Sequence, residues 1–125
     1  MLIAGARSIE PIGHRARGVL FDPARTFAAS VWLRLEVEPK ARFGKRAEEI
    51  GFYTSYFGGV ERWALPSSRL ANQAYDLAVR HGLAAMDALH AASALALHAA
   101  DFVTTEKRTK PLFRLEGVRL ISLAD

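Results

Sequence analysis

Residues 87–107 read Asp87-Ala-Leu-His-Ala-Ala-Ser-Ala-Leu-Ala-Leu-His-Ala-Ala-Asp-Phe-Val-Thr-Thr-Glu-Lys107. Alanine and leucine are strong helix formers, so the run over 86–99 predicts a helix. Asp87 falls in its first turn, where a carboxylate meets the positive end of the helix dipole. The Asp-Phe-Val-Thr-Thr stretch of 101–105 has the branched and aromatic character of a strand. A polar loop, 106–110, follows it. Helix, strand and polar loop in that order are half of an α/β unit.

Working outward, residues 118–123 predict a closing strand. Upstream, Pro66-Ser67-Ser68 opens a helix in which Leu70, Ala74, Leu77 and Ala78 share a face, and Gly82 closes it. Residues 61–65 suit a short strand. Residues 44–57 predict a helix with Ala47, Ile50, Tyr53 and Phe57 at helical spacing, stopped by Gly58-Gly59. Thr-Phe-Ala-Ala-Ser (26–30) reads as a buried strand, and a helix starts at Val31, with Pro39 marking a break or kink. A helix over about 8–21, capped by Ser8 and carrying Pro11 in its first turn, and a short apolar strand over 1–5 complete the chain. The alternation implies an α/β domain with a mainly parallel sheet covered by helices on both faces.

The totals agree with one domain. The chain has 125 residues, half of them apolar. It contains no cysteine, which excludes a disulfide scaffold, a thiolate zinc site and a cysteine nucleophile. No apolar run approaches the roughly 20 residues that cross a bilayer, and the first residues lack a signal-peptide layout, so no membrane and a cytoplasmic location are expected. Lysine and arginine number 17 against 13 acids, a net charge of +4 that favours a polyanion as weakly as it favours an ordinary basic surface.

In parallel α/β sheets, function gathers where strands hand over to helices. Three acids stand at such junctions. Glu36 lies in the helix directly after a buried strand, Asp87 opens the Ala-rich helix, and Glu106 follows Phe-Val-Thr-Thr. If they converge they repel one another, and a divalent cation relieves that repulsion. Each acid also has a structural reading: Asp87 as a favourable helix-terminus charge, Glu36 paired with Arg34 or Lys40, Glu106 as a loop acid. Glu48, Glu49 and Asp76 read as solvated surface. His90, one turn after Asp87, is the histidine nearest this set; His14, His81 and His98 form no short ligand pair. No Gly-x-Ser-x-Gly, P-loop or Gly-x-Gly-x-x-Gly occurs. Trp32, Trp63 and the Phe52, Tyr53, Tyr56, Phe57 group suit either base stacking or packing of a core or dimer face.

The stretch from Asp87 to Lys107 resembles the carboxyl half of PIN domains, most of all the VapC-type ribonuclease toxins of toxin–antitoxin pairs. In that family an Asp opens the same Ala-rich helix, and a Thr-x-Asp follows the next strand; Thr104 and Glu106 match that motif with Glu in place of Asp. Residues 28–36, Ala-Ala-Ser-Val-Trp-Leu-Arg-Leu-Glu, match the strand and helix that bring another family acid, at Glu36. The closing Gly-Val-Arg-Leu-Ile-Ser-Leu also fits. One departure stands out. The family's first strand carries an Asp that would fall a few residues before Met1, so residues 1–125 read as one PIN-like domain shortened at its N-terminus, a late-assigned start codon being favoured over a truncated gene.

The resemblance implies a three-layer α/β/α fold with a short, mostly parallel sheet, and a hydrolase that cuts RNA with a metal-activated water. Glu36, Asp87 and Glu106 would hold Mg²⁺ or Mn²⁺, and Thr104 would orient a carboxylate or water. Arg34, Lys107, Arg108 and Lys110 would hold phosphates. A cognate antitoxin and a homodimer, the latter through the aromatic-rich helix of residues 44–57, are the implied partners. The alternative is a catalytically impaired module that binds RNA or a protein.

Overall fold

The computed structural model describes all of residues 1–125. Helices α1 (Leu2–Ala6) and α2 (Ile12–Leu20) lead into strand β1 (Ala28–Ser30), followed by α3 (Val31–Phe43), α4 (Ala47–Gly58) and β2 (Arg62–Ala64). Helices α5 (Ser68–His81) and α6 (Ala85–Ala96), strand β3 (Asp101–Thr104), a 3₁₀ turn (Pro111–Arg114) and β4 (Arg119–Ser122) complete it. This is a mixed α/β fold with parallel strand pairing. No helix is long and apolar enough to cross a membrane.

Local chemistry explains most of these boundaries. The hydroxyl of Ser30 accepts from the Leu33 amide at 3.2 Å and that of Ser67 from the Leu70 amide at 3.0 Å, each satisfying an amide that the first turn leaves free. Gly82 ends α5 in the left-handed conformation, φ +69°, and its amide donates to the Ala78 carbonyl. Pro39 does not end α3; the helix continues through it to Phe43. Pro39 is exposed, and its cost falls within the helix, as a missing bond to the Leu35 carbonyl and crowding of the ring against it. Ser8 does not cap α2: it has φ 53° and lies four residues before the helix, whose N-cap is Pro11 without a side-chain bond.

Two further expectations, about the strands, are overturned. Residues 1–5 form no strand; they belong almost wholly to helix α1, with Leu2, Ala4 and Gly5 buried. A five-residue apolar run suits a strand and a buried helical turn equally, and tertiary packing decides. Here Gly5 sits so close to Leu20 and Phe52 that an added Cβ would come within 3.1 and 3.3 Å of them. The strands also do not join into one sheet. β1 pairs with β2, Ala28 opposite Arg62, and β3 with β4, Asp101 opposite Arg119, giving two separate two-stranded parallel sheets.

The hydrophobic interior is correspondingly double. Leu2, Ala29, Val37, Ala41, Tyr53 and Phe57 form one core beneath α1, α3 and α4. Leu70, Ala74 and Leu77 of α5 pack on Ala88, Ala91 and Ala92 of α6 in the other. The alanines of α6 let the two helices approach closely. Side chains stitch the two sheets together: Arg25, just before β1, reaches Asp101 of β3 at 3.2 Å, and Arg62 of β2 donates to the Leu97 carbonyl; within the second sheet Arg119 grips the Asp101 carboxylate at 2.7 and 2.9 Å. Asp101 is held below the usual carboxylate range chiefly by Arg119.

Glu49 is buried, at 5% exposure, and not on the solvated face that the helical pattern suggests. It accepts hydrogen bonds from Arg7, Arg46 and the Tyr53 hydroxyl. Burial would push its carboxyl up, but those donors outweigh it and hold the pKa at about 2. Tyr53 and Phe57 are buried in the molecule's own core, so the aromatic side of α4 is not a free dimer face.

Candidate carboxylate site

The site lies where α3, from one half, meets α6, from the other. Ser30 ends β1 and caps α3, placing Glu36 in the second turn of that helix. Its Oε2 lies 2.6 Å from Nε2 of His90, which is one turn along α6 from Asp87. The structure thus chooses against the Arg34 and Lys40 pairings for Glu36. Arg34 instead shares the buried Glu38 with Arg42, both at 3.3 Å.

Asp87 is half-buried in the first turn of α6, a helix whose N-cap residue, Ala84, offers no side-chain bond. Its carboxyl is pushed above the ordinary aspartate value, first by burial, then by the negative charge of Glu106; His90 opposes this and Glu36 adds to it. Glu106 and Glu36, the other two acids picked from the sequence, therefore both act on Asp87. His90 belongs with them.

Glu106 is positioned through its backbone. Its amide donates to Thr104 Oγ1 at 3.1 Å, and its carbonyl accepts from Ser122 Oγ at 2.7 Å. The Leu123 amide in turn bonds the Thr104 carbonyl at 2.8 Å. Thr104 is buried, so its role here is to fix the turn that carries Glu106. Ser122 was not legible as a site residue. Its relevance appears only with the parallel register that sets it opposite Thr104.

Three carboxylates form an all-oxygen donor set of the kind that hard divalent cations take. The pKa of Asp87 is raised first by burial and then by repulsion from Glu106, and such a cation would relieve the second of these. As placed, however, no three Asp, Glu or His side chains stand close enough together to ligate one ion. Glu36 has one oxygen, Oε2, engaged by His90, which leaves the other available. The donors fit a cation in kind, and their spacing would have to tighten to hold one.

Beside Glu36 opens a cleft of about 390 Å³, walled mainly by apolar residues including Leu2, Ile9, Ile12, Leu33 and Val37, with Glu36 as its one charged side chain. Of the basic residues expected to meet phosphates, Lys107, Arg108 and Lys110 are exposed on the loop that follows Glu106. The Arg108 amide and guanidinium both engage Asp125, at 2.9 and 3.6 Å. Lys107 and Lys110 carry no ion pair, whereas Arg34 is partly committed to Glu38.

No protein-family model, curated protein or solved structure matches the chain.

Proposed function

We propose that the chain is a metal-dependent endoribonuclease of the toxin type, built as a PIN-like, three-layer α/β/α domain. The observation that carries the reading is Asp87: half-buried, with its carboxyl pushed up by burial and by Glu106 and Glu36. Perturbed acids that feel one another at a strand–helix junction are what a phosphoryl-transfer site needs. Glu36, Asp87 and Glu106 would hold Mg²⁺ or Mn²⁺. The ion, when bound, neutralises phosphodiester charge and acidifies the attacking water.

The chain's own residues do the rest. His90 orients Glu36, and Thr104 and Ser122 fix the Glu106 turn. Lys107 and Lys110 offer free cations to the RNA backbone. A toxin acting in the cytoplasm with a cognate antitoxin belongs to this reading. Homodimerisation does too, but it would draw on exposed apolar side chains such as Leu35 and Phe43 rather than on the buried aromatics of α4.

Mg²⁺ or Mn²⁺ titration by calorimetry, beside cleavage of labelled RNA, tests the proposal. Asp87→Asn should abolish metal-dependent cleavage while the circular dichroism spectrum stays unchanged. Full cleavage by that variant refutes the site. The spacing of the acids favours one alternative, a module of this fold that binds RNA or a protein without cutting. RNA binding with no metal uptake would select it.

A further inference from the structure

Away from the acids, an open groove of about 670 Å³ runs along α5 and α6. Asp87 stands in the first turn of α6, whereas the groove takes Ala92, Leu95 and Ala96 further along it and Leu97 and His98 beyond its end. At 1.5 Å per residue, Ala92 to Ala96 lie roughly 7 to 14 Å from Asp87 along the helix axis. Leu70, Leu77, Ala92 and Leu95 form its floor, and Trp63 stands in its wall. Trp63 packs against Phe57, with ring centres 5.7 Å apart, yet keeps 37% of its surface exposed.

Arg69, Gln73, Asp76 and Arg80 form the rim on α5. Their spacing, i, i+4, i+7 and i+11, puts them on one stripe of the helix. All four are exposed, and neither Arg69 nor Arg80 has an ion-pair partner. The two arginines leave the helix about 16 Å apart along its axis, the reach of a few nucleotides rather than of a single phosphate. Asp76 is the one acid on the rim, against two arginines and the exposed His98.

We infer that this groove binds a short single-stranded segment of RNA, with a base laid on Trp63 and phosphates held by Arg69 and Arg80; the inference rests on the ribonuclease reading and deepens it. Single-strand sites combine aromatic platforms with cations that track the backbone, and every base has a face to stack. Gln73 and Ser67 add amide and hydroxyl groups for base edges. A protein partner is the less favoured occupant. Leu65, 74% exposed, and Trp63 give the lining apolar surface of its own, whereas Tyr75 and Val79 of α5 lie outside it; the unpaired Arg69 and Arg80 on the rim are what favour a polyanion over an apolar partner.

The test uses fluorescein-labelled single-stranded RNA of about ten nucleotides, in EDTA, with the full chain carrying Asp87→Asn to prevent cleavage. Arg69→Gln/Arg80→Gln should weaken binding about tenfold or more. It should also lower the slope of log K against log salt by about 1.4, two single-strand phosphate contacts. In a Trp32→Phe background, bound RNA should quench Trp63 fluorescence. Unchanged affinity and slope in the double variant overturn the proposal. So does failure of RNA to bind while an acidic amphipathic peptide does, which would assign the groove to a protein. The two readings fail separately. RNA bound through the groove by a chain that never cuts leaves the groove and removes the enzyme. Cleavage by the wild-type chain with binding indifferent to Arg69 and Arg80 does the reverse.

Discussion

Replacing Glu49 with alanine removes an acceptor that serves three donors in one place. Two of them, the Arg7 and Arg46 side chains, keep 46% and 43% exposure, so water takes over their hydrogen bonds and their loss costs little. The third, the Tyr53 hydroxyl, belongs to a residue with no exposed surface, and stranding it decides the outcome. Glu49→Ala is therefore predicted to lose about 1–3 kcal/mol, read from urea unfolding followed by fluorescence and circular dichroism. Glu49→Gln keeps a carbonyl for Tyr53 and should cost markedly less. Adding Tyr53→Phe to Glu49→Ala should recover part of the loss, because the stranded group is then gone. The carboxyl's pKa of about 2 sets the acid limb. Since the folded value lies below the ordinary 4.5, the contribution is complete above about pH 5 and fades as pH falls toward 2. A Glu49→Ala chain within 0.5 kcal/mol of wild type, with the same acid limb, would refute this account of how α1 is fastened to α4.

Asp87 predicts the opposite sign. Its folded-state pKa is raised, so its ionisation opposes folding, an effect absent below the unfolded-state pKa and growing as pH rises through the folded one. Asp87→Asn should therefore raise the melting temperature at neutral pH while removing cleavage; a lower melting temperature would show the charge to be structural. Pro39→Ala should also stabilise, by about 1 kcal/mol or more, since Pro39 is exposed inside α3 and alanine restores the missing amide. Thermal unfolding followed by circular dichroism checks it, and a destabilised variant would mean the interruption itself seats Glu36 or Glu38.

Much of the helical framework was legible, because its signals are local. Ser67 and Gly82 bracket α5 through their own chemistry, and the Ala-rich run of α6 needs no partner to declare itself. The strands were found near their true positions, yet their pairing was not, since four short apolar runs do not state which edges meet. Residues 1–5 were misread because so short a run has no period to measure. Glu49 was misread for a different reason: a charge on a helix is buried only if distant cations reach it, and Arg7 lies 42 residues away. Glu36, Asp87 and Glu106 were singled out by their places at element junctions, and Glu106 and Glu36 both help to raise the Asp87 carboxyl. That His90 would take Glu36, and Ser122 hold Glu106, depended on contacts no local pattern encodes.

The hydrogen bond between Glu36 and His90 ties a helix of one hydrophobic core to a helix of the other. Whatever settles among these acids therefore spans a seam, and its binding energy adds to the cohesion of the two halves. Breathing along that seam would spread the acids and loosen the grip on any bridging ligand. Hydrogen exchange should register occupancy as slower opening in both halves at once, far beyond the few residues in contact.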